Sequence, residues 1–373
     1  MVMAIAMVAA ACGSDEATTT EEPAATTAAP ATTTAPADDT PTTTAEPPAT
    51  AAPAAVEEAT GLEAVCEVGV EEGSFVYAAT IEPDNFARIS APFEARFPGI
   101  EIQLQSAREE DYAGQIITAL AAGAEPDIDL IYGSQDGLFP LISRDLLDTN
   151  YDWTSVDADP ATIHETNMIR LFVVGLGVAY NTNLGTPDDL PATWEELIDS
   201  KYAGDLVVDP RGNPFDLLSI SWGEEATLDY VTRLSATVEP IVIRGGTAGM
   251  TEVLAGGALM TTSGRADSNA ELQAEDAPIE MHYMDAVPVR ILYNGLYKDA
   301  KNPNAAACFA GWLATDEGKA SFEAVEFKAN DFPPAGVPAT AELIFVDSAA
   351  DAETTSTTGQ KVQEIIAPDF DAG

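Results

Sequence analysis

Two hydrophobic periods alternate along the middle of the chain. Gly73 to Ala79 (GSFVYAA) reads as a strand ending in the turn Thr80 to Pro83, and Phe86, Ile89, Phe93 and Phe97 then share one helical face that closes at Pro98-Gly99. Pro92 lies inside that pattern and is expected to kink or restart the helix. Ile100 to Ser106 alternates strictly, Tyr112, Ile116, Ile117 and Leu120 mark a helix closed by Gly123, and Ile128 to Tyr132 is a third strand running into Gly133, Ser134, Gln135 and Asp136. Strands alternating with helices of this length predict parallel sheets with right-handed crossovers.

The stretch Gly175 to Gly212 predicts a change of unit. A buried strand, Val178 to Tyr180, leads to Asn181, a Thr193/Glu196 capping box predicts a new helix, and a second strand, Leu206 to Val208, reaches Asp209-Pro210-Arg211-Gly212. Arg244 to Thr247 opens a helical pattern over Met250 to Leu254, and the strand Ala258 to Thr261 ends in Thr262, Ser263, Gly264 and Arg265. Val287 to Tyr293 reads as a return strand, followed by a helix over Asn304 to Leu313. The chain thus crosses from one α/β lobe to a second and back, at crossings near Tyr180 and Val289. Asp347 to Gly373 is Thr-rich before a short helical pattern (Val362, Ile365, Ile366) and carries no readable function.

In open α/β sheets ligands bind beyond the carboxyl ends of strands. Thr80, Glu82, Ser134 and Gln135 therefore form the candidate wall from the first lobe, and Tyr180 a hinge wall. Arg211, Asn213, Gly246, Thr247, Ser263 and Arg265 form the candidate anion clamp of the second, because helix amino termini offer unpaired N–H groups and arginine grips oxyanions bidentately. The plainer alternative is that Arg211, Arg244 and Arg265 pair with local acids.

Composition adds an unpacked region. Residues 13–61 are almost wholly Thr, Ala, Pro, Glu and Asp, too poor in apolar surface to fold, and read as a disordered tether. A net charge of -46 with only 16 Lys and Arg argues against nucleic acid and against an anionic membrane surface. Enzymatic signals are absent from the pattern: the two histidines, His164 and His282, accompany no catalytic motif, and His164 is expected on a surface helix. Neither Gly175-x-Gly177 nor Gly245-Gly246-x-x-Gly249 completes a nucleotide-binding motif. No cofactor and no metal-type Cys or His spacing is read.

"VAYNTNL" with "PATWEELIDSKYAGDLVVDPR" resembles the hinge segment of bacterial ABC-transporter solute-binding proteins, in the branch holding ferric-ion, polyamine and phosphonate binders. FEARFPG (93–99), PDIDLIY (126–132), Tyr151 to Trp153 and KNPNAAACFAGWL (301–313) extend the resemblance. It implies a two-lobed type II periplasmic-binding fold, each lobe a doubly wound, mainly parallel sheet: residues 62–179 with 291–373, and 180–290. It also implies a small-molecule ligand, permease and ATPase partners, and a monomer.

Residues 1–12, ending in Ala9-Ala10-Ala11-Cys12-Gly13, resemble a lipoprotein signal with Cys12 as the lipidated residue, anchoring the protein outside the cell membrane. No Lys or Arg precedes Arg88, so the expected start of that signal lies upstream. Cys66 and Cys308 both fall in the implied first lobe and are either bridged or two buried free thiols. The ferric-ion members imply a pair of adjacent tyrosines after the Ala258 strand; here that place reads Gly264 to Asn269, without tyrosine, while Tyr283, Tyr293 and Tyr297 are scattered. A polyamine would instead use Glu82, Asp136, Trp153 and Tyr180. The reading reached is therefore capture of an oxyanion-bearing solute or an anion-chelated metal, with iron binding, polyamine binding and a non-transport surface sensor as alternatives.

Overall fold

A computed structural model describes residues 60–369; Cys12 and nearly all of the expected tether lie outside the described residues. The first part runs α1 (Leu62–Glu72), β1 (Ser74–Ala79), α2 (Pro83–Arg96), β2 (Glu101–Ser106), α3 (Glu109–Ala121), β3 (Leu130–Ser134) and α4 (Gln135–Ile142). The long strand β4 (Ile169–Asn181) leaves it for β5 (Leu206–Val208), α5 (Phe215–Trp222), α6 (Glu224–Val238), β6 (Ile241–Val242), α7 (Gly246–Leu254), β7 (Met260–Arg265), α8 (Ala266–Ala274) and β8 (Ile279–His282). The return strand β9 (Ala286–Leu296) leads to α9 (Pro303–Leu313), α10 (Asp316–Glu326), β10 (Glu342–Ile344) and α11 (Ala349–Ile366).

One continuous sheet carries the order β2-β1-β3-β9-β4-β7-β5-β6, with β10 on β9 and β8 on β4. Strands β2, β1 and β3 are parallel, as are β7, β5 and β6, and the antiparallel pair β4 and β9 joins the two groups. Strand alternation divides the side chains between cores on either face. Phe75, Tyr77 and Ala79 enter one cluster and Val76 and Ala78 another; in the second group Leu206 and Val208 part from Val207 in the same way. Phe309 sits amid Phe75, Tyr77, Phe86, Phe93 and Trp312, and beside it a disulfide joins Cys66 on α1 to Cys308 on α9.

Several elements differ from the sequence pattern. Helix α2 continues through Pro92: the hydrogen bond that proline removes would have ended at Arg88, which is exposed and can turn its carbonyl to water. The helix expected after Thr193 is only a 3-10 turn over Glu195–Leu197; Thr193 does cap Glu196 N–H, but buried Trp194 and Tyr202 pin the segment to the second core. β4 passes from pairing β9 at Gly175 to pairing β7 at Leu176, so the crossing falls earlier than Tyr180. The Thr-rich stretch near the carboxyl end is helical throughout, with Ser348 capping α11 and Thr355, Thr358 and Gly359 on its buried face. α11 places Ala352 in the first core and Val362 in the second, and Lys361 pairs with Glu224 of α6.

Candidate functional site

Three helices begin where strands of the second group end. α5 follows the turn after β5, α7 follows Gly245, and α8 follows β7 directly. None of the residues before them, Pro214, Gly245 and Arg265, caps its helix with a side chain. The first N–H groups of a helix have no partner within it, and they carry its positive partial charge. Gly212, at φ 97° and 2.8 Å (for a notional Cβ) from the Gly359 backbone, lets the turn pass against α11 where no side chain fits. Gly246 lies against the Ser263 carbonyl, so the start of α7 sits directly on the end of β7.

These starts enclose a cavity of about 760 Å³. Arg211, Asn213, Gly246, Thr247, Ser263 and Arg265, all six residues expected in the second lobe, line it together. Arg244, Asp216, Ser268 and Arg290 also line it and are not among the residues expected from the sequence; Arg290, the one charged residue inside the apolar return strand, is the signal that marks it.

The arginines are held by acids lying behind them. Asp209, buried, accepts from Arg211 Nε at 3.1 Å and Nη2 at 2.6 Å, and also from the N–H groups of Arg211 and Gly245. Asp267, also buried, accepts from Arg265 Nε at 3.0 Å and Nη2 at 2.5 Å. Burial pushes the Asp267 carboxyl up, but the Arg265 guanidinium beside it, the charge of Lys328 and the Ser268 N–H together hold it below the usual carboxylate range. Arg211 and Arg265 thus pair with local acids, as the plainer alternative expects, and each carboxylate occupies one edge of its guanidinium and orients the rest. Asn213 Oδ1 is buried without a hydrogen-bond partner among the described residues.

The first-lobe wall is different. Thr80 is exposed and donates to the Ala107 carbonyl, while Glu82 is exposed just before α2. Ser134 donates to Glu109 and accepts from Gly137 N–H; Gln135 Nε2 lies 2.7 Å from His164 Nδ1. None of these four lines the arginine cavity, although Ser134 and Gln135 meet Arg290 across a narrow gap. Tyr180 does not form a hinge wall: it is buried in the second core and donates to Glu280 at 2.8 Å. His164 is not on a surface helix but lies in a loop, its side chain only 8% exposed.

The alternative ligand sets are not assembled. Tyr283 lines a separate cavity beside Lys328, Tyr293 stands against His164, and Tyr297 is buried. Burial pushes both Tyr283 and Tyr293 up to about 12, with Asp267 and Asp347 respectively adding to it, which works against phenolate formation. Among the described residues no group of three or more His, Cys, Asp or Glu is placed to hold a metal. Trp153 is buried with its indole N–H on the Asn167 carbonyl, so it offers no face to a polyamine.

A family model described as bacterial extracellular solute-binding protein matches residues 78–320. None of the curated proteins matches the chain. Among solved structures, iron-bound HitA from Pseudomonas aeruginosa is similar over 78% of this chain and 99% of its own, at a TM-score of 0.65 and 18% identity. The ferric binding protein from Campylobacter jejuni covers 78% and 98% at 0.64 and 14%, and Trichodesmium IdiA (FutA), in complex with iron and citrate, 79% and 99% at 0.62 and 16%. At these identities the likeness establishes the two-lobed type II periplasmic-binding fold, and the family match establishes the rest: this chain belongs to the bacterial extracellular solute-binding proteins.

Proposed function

We propose that the protein captures an oxyanion-bearing organic solute, or a metal carried in an anionic chelate, in the arginine cavity and delivers it to the permease of an ABC importer. The observation carrying this reading is the convergence of Arg211, Arg244, Arg265 and Arg290 with three uncapped helix starts on one cavity, in a chain of net charge -46. A carboxylate, phosphonate or phosphate group would meet guanidinium edges and the N–H groups of Gly246 and Thr247 at once. Cavities that bind cations are built the other way round.

The lobes in this reading are residues 62–179 with 291–373 and residues 180–290, with α11 docked across onto the second. Closure bends the crossing strands near Gly175 and Val289 and brings Ser134 and Gln135 towards a ligand already seated on the second lobe. It follows from differential affinity, since both lobes touch the ligand only when shut. Cys12 carries the lipid that keeps the protein outside the cell membrane, and the protein acts as a monomer without cofactor. A thermal-shift screen of the full chain with phosphonates, phosphate esters, dicarboxylates, ferric citrate, polyamines and sugars tests the ligand class. A shift with oxyanions supports it, and a shift with polyamines alone overturns it.

A further inference from the structure

Arg170 is unused by this reading. It lies on β4 where the pairing with β9 slips between Arg170 and Phe172, and such a bulge re-aims the side chain it carries. The guanidinium stacks over the Phe332 ring, 5.4 Å from its centroid. Its Nε is buried with no hydrogen-bond partner, and no ion pair among the described residues includes it. Four other arginines, Arg96, Arg211, Arg233 and Arg265, each hold a carboxylate. With 62 acidic residues against 16 basic ones, a half-buried guanidinium without an acid is an unmet demand for an acceptor.

The same residue lines a cavity of about 360 Å³ in which Arg170, His164 and Tyr293 supply the polar groups and Ile291, Phe332 and Phe345 the apolar walls. Phe332 is 40% exposed and meets Phe345 edge-on at 5.6 Å. Ile291 and Tyr293 alternate with Arg290 along β9, so they project from the opposite face of the strand, and the two cavities share no lining residue. Glu165 and Asp347 also line this cavity, Glu165 exposed and the Asp347 side chain 69% exposed, and their charge discriminates against a dianion such as a phosphate ester.

We propose that this cavity is a second binding site, for a small monocarboxylate with a flat apolar body. The carboxylate takes the edge formed by the two terminal nitrogens of Arg170, which, unlike Nε, are not buried, and the body lies between Phe332, Phe345 and Ile291. His164 links the cavity to Gln135, so an occupant would stand one hydrogen bond behind the first-lobe wall.

Benzoate, with benzamide and benzylamine as uncharged and cationic counterparts, tests this by calorimetric titration of the full chain up to about 10 mM, the range of weak small-ligand affinities. Benzoate is expected to bind the wild type and the Arg211→Ala/Arg265→Ala double variant alike, and to lose binding in Arg170→Met, while benzamide and benzylamine do not bind. The double variant separates this site from the arginine cavity, whose own failure would leave the benzoate result standing. Absence of benzoate binding, unchanged affinity in Arg170→Met, or loss only in the double variant overturns the proposal. Should Arg170→Met not fold, Phe332→Ala at the exposed ring decides: about a tenfold weaker benzoate affinity is expected from loss of the stacked wall, and no change overturns it.

Discussion

The two halves of the molecule meet the cleft in opposite conditions. In the first, the polar groups at the strand ends are already satisfied: Thr80 by Ala107, Ser134 by Glu109 and Gly137, Gln135 by His164. In the second, Asp209 and Asp267 lie behind the arginines, and the starts of α5, α7 and α8 converge without side-chain caps. The first is built as a wall; the second presents oriented guanidinium edges beside the start of α7. In the proposed function this difference sets an order of events, with the ligand bound first by the second lobe and covered afterwards by the first.

The largest effect is expected at the disulfide, which belongs wholly to the first half. Replacing Cys66 and Cys308 by Ser should lower stability by about 2–5 kcal/mol, as removing a bridge that closes a long loop does. Oxyanion affinity should survive at a temperature where the variant is folded. Loss of affinity in parallel with stability, read by denaturation and titration side by side, would mean that the seat depends on the first half after all.

Next in size is the carboxylate behind the clamp. Asp267→Asn should cost about 1–3 kcal/mol in urea denaturation, because Arg265 is left largely buried with a weakened partner. An unchanged midpoint would show that the pair does not organise the site. The pH dependence has a definite sign. The folded-state value of Asp267 is lowered from its usual 3.8, so the stability due to the pair is fully present above that value and is lost as pH falls through the lowered folded one. The difference between wild type and Asp267→Asn, followed from neutral pH downward, should therefore shrink only below about 4, and a difference that shrinks above pH 5 would contradict the cause assigned.

The smallest expected effect is on the opposite wall. Ser134→Ala with Gln135→Ala should weaken oxyanion binding by about 1 kcal/mol or less, since both side chains are engaged within their own half. A loss as large as that from the arginines would erase the asymmetry.

What could be read from the chain followed the same division. Turns at the ends of short apolar runs are local, and Arg211, Gly246 and Arg265 were legible because Gly, Arg and hydroxyl residues stood where a strand stops and a helix starts. The run from Leu171 to Tyr180 is apolar throughout, so no period reveals where its pairing passes from β9 to β7 or that Tyr180 lies beyond the crossing. The commitment of Ser134 and Gln135 rests on Glu109 and His164, 25 and 29 residues away, which no local pattern records. The sequence shows a helical pattern only at Val362, Ile365 and Ile366, whereas the helix spans Ala349–Ile366, because Thr355, Thr358 and Gly359 lie on its buried face and Ala352 and Val362 enter the two cores.

The proposed function requires the paired arginines of the second lobe to seat an anion. The most direct measurement is calorimetric titration of the wild type and Arg211→Ala/Arg265→Ala with the oxyanion giving the largest thermal shift, at low and high salt. The double variant is expected to lose at least about a hundredfold in affinity, near 2.7 kcal/mol, with a salt dependence that falls with the removed charges. Equal affinity in the double variant would contradict it.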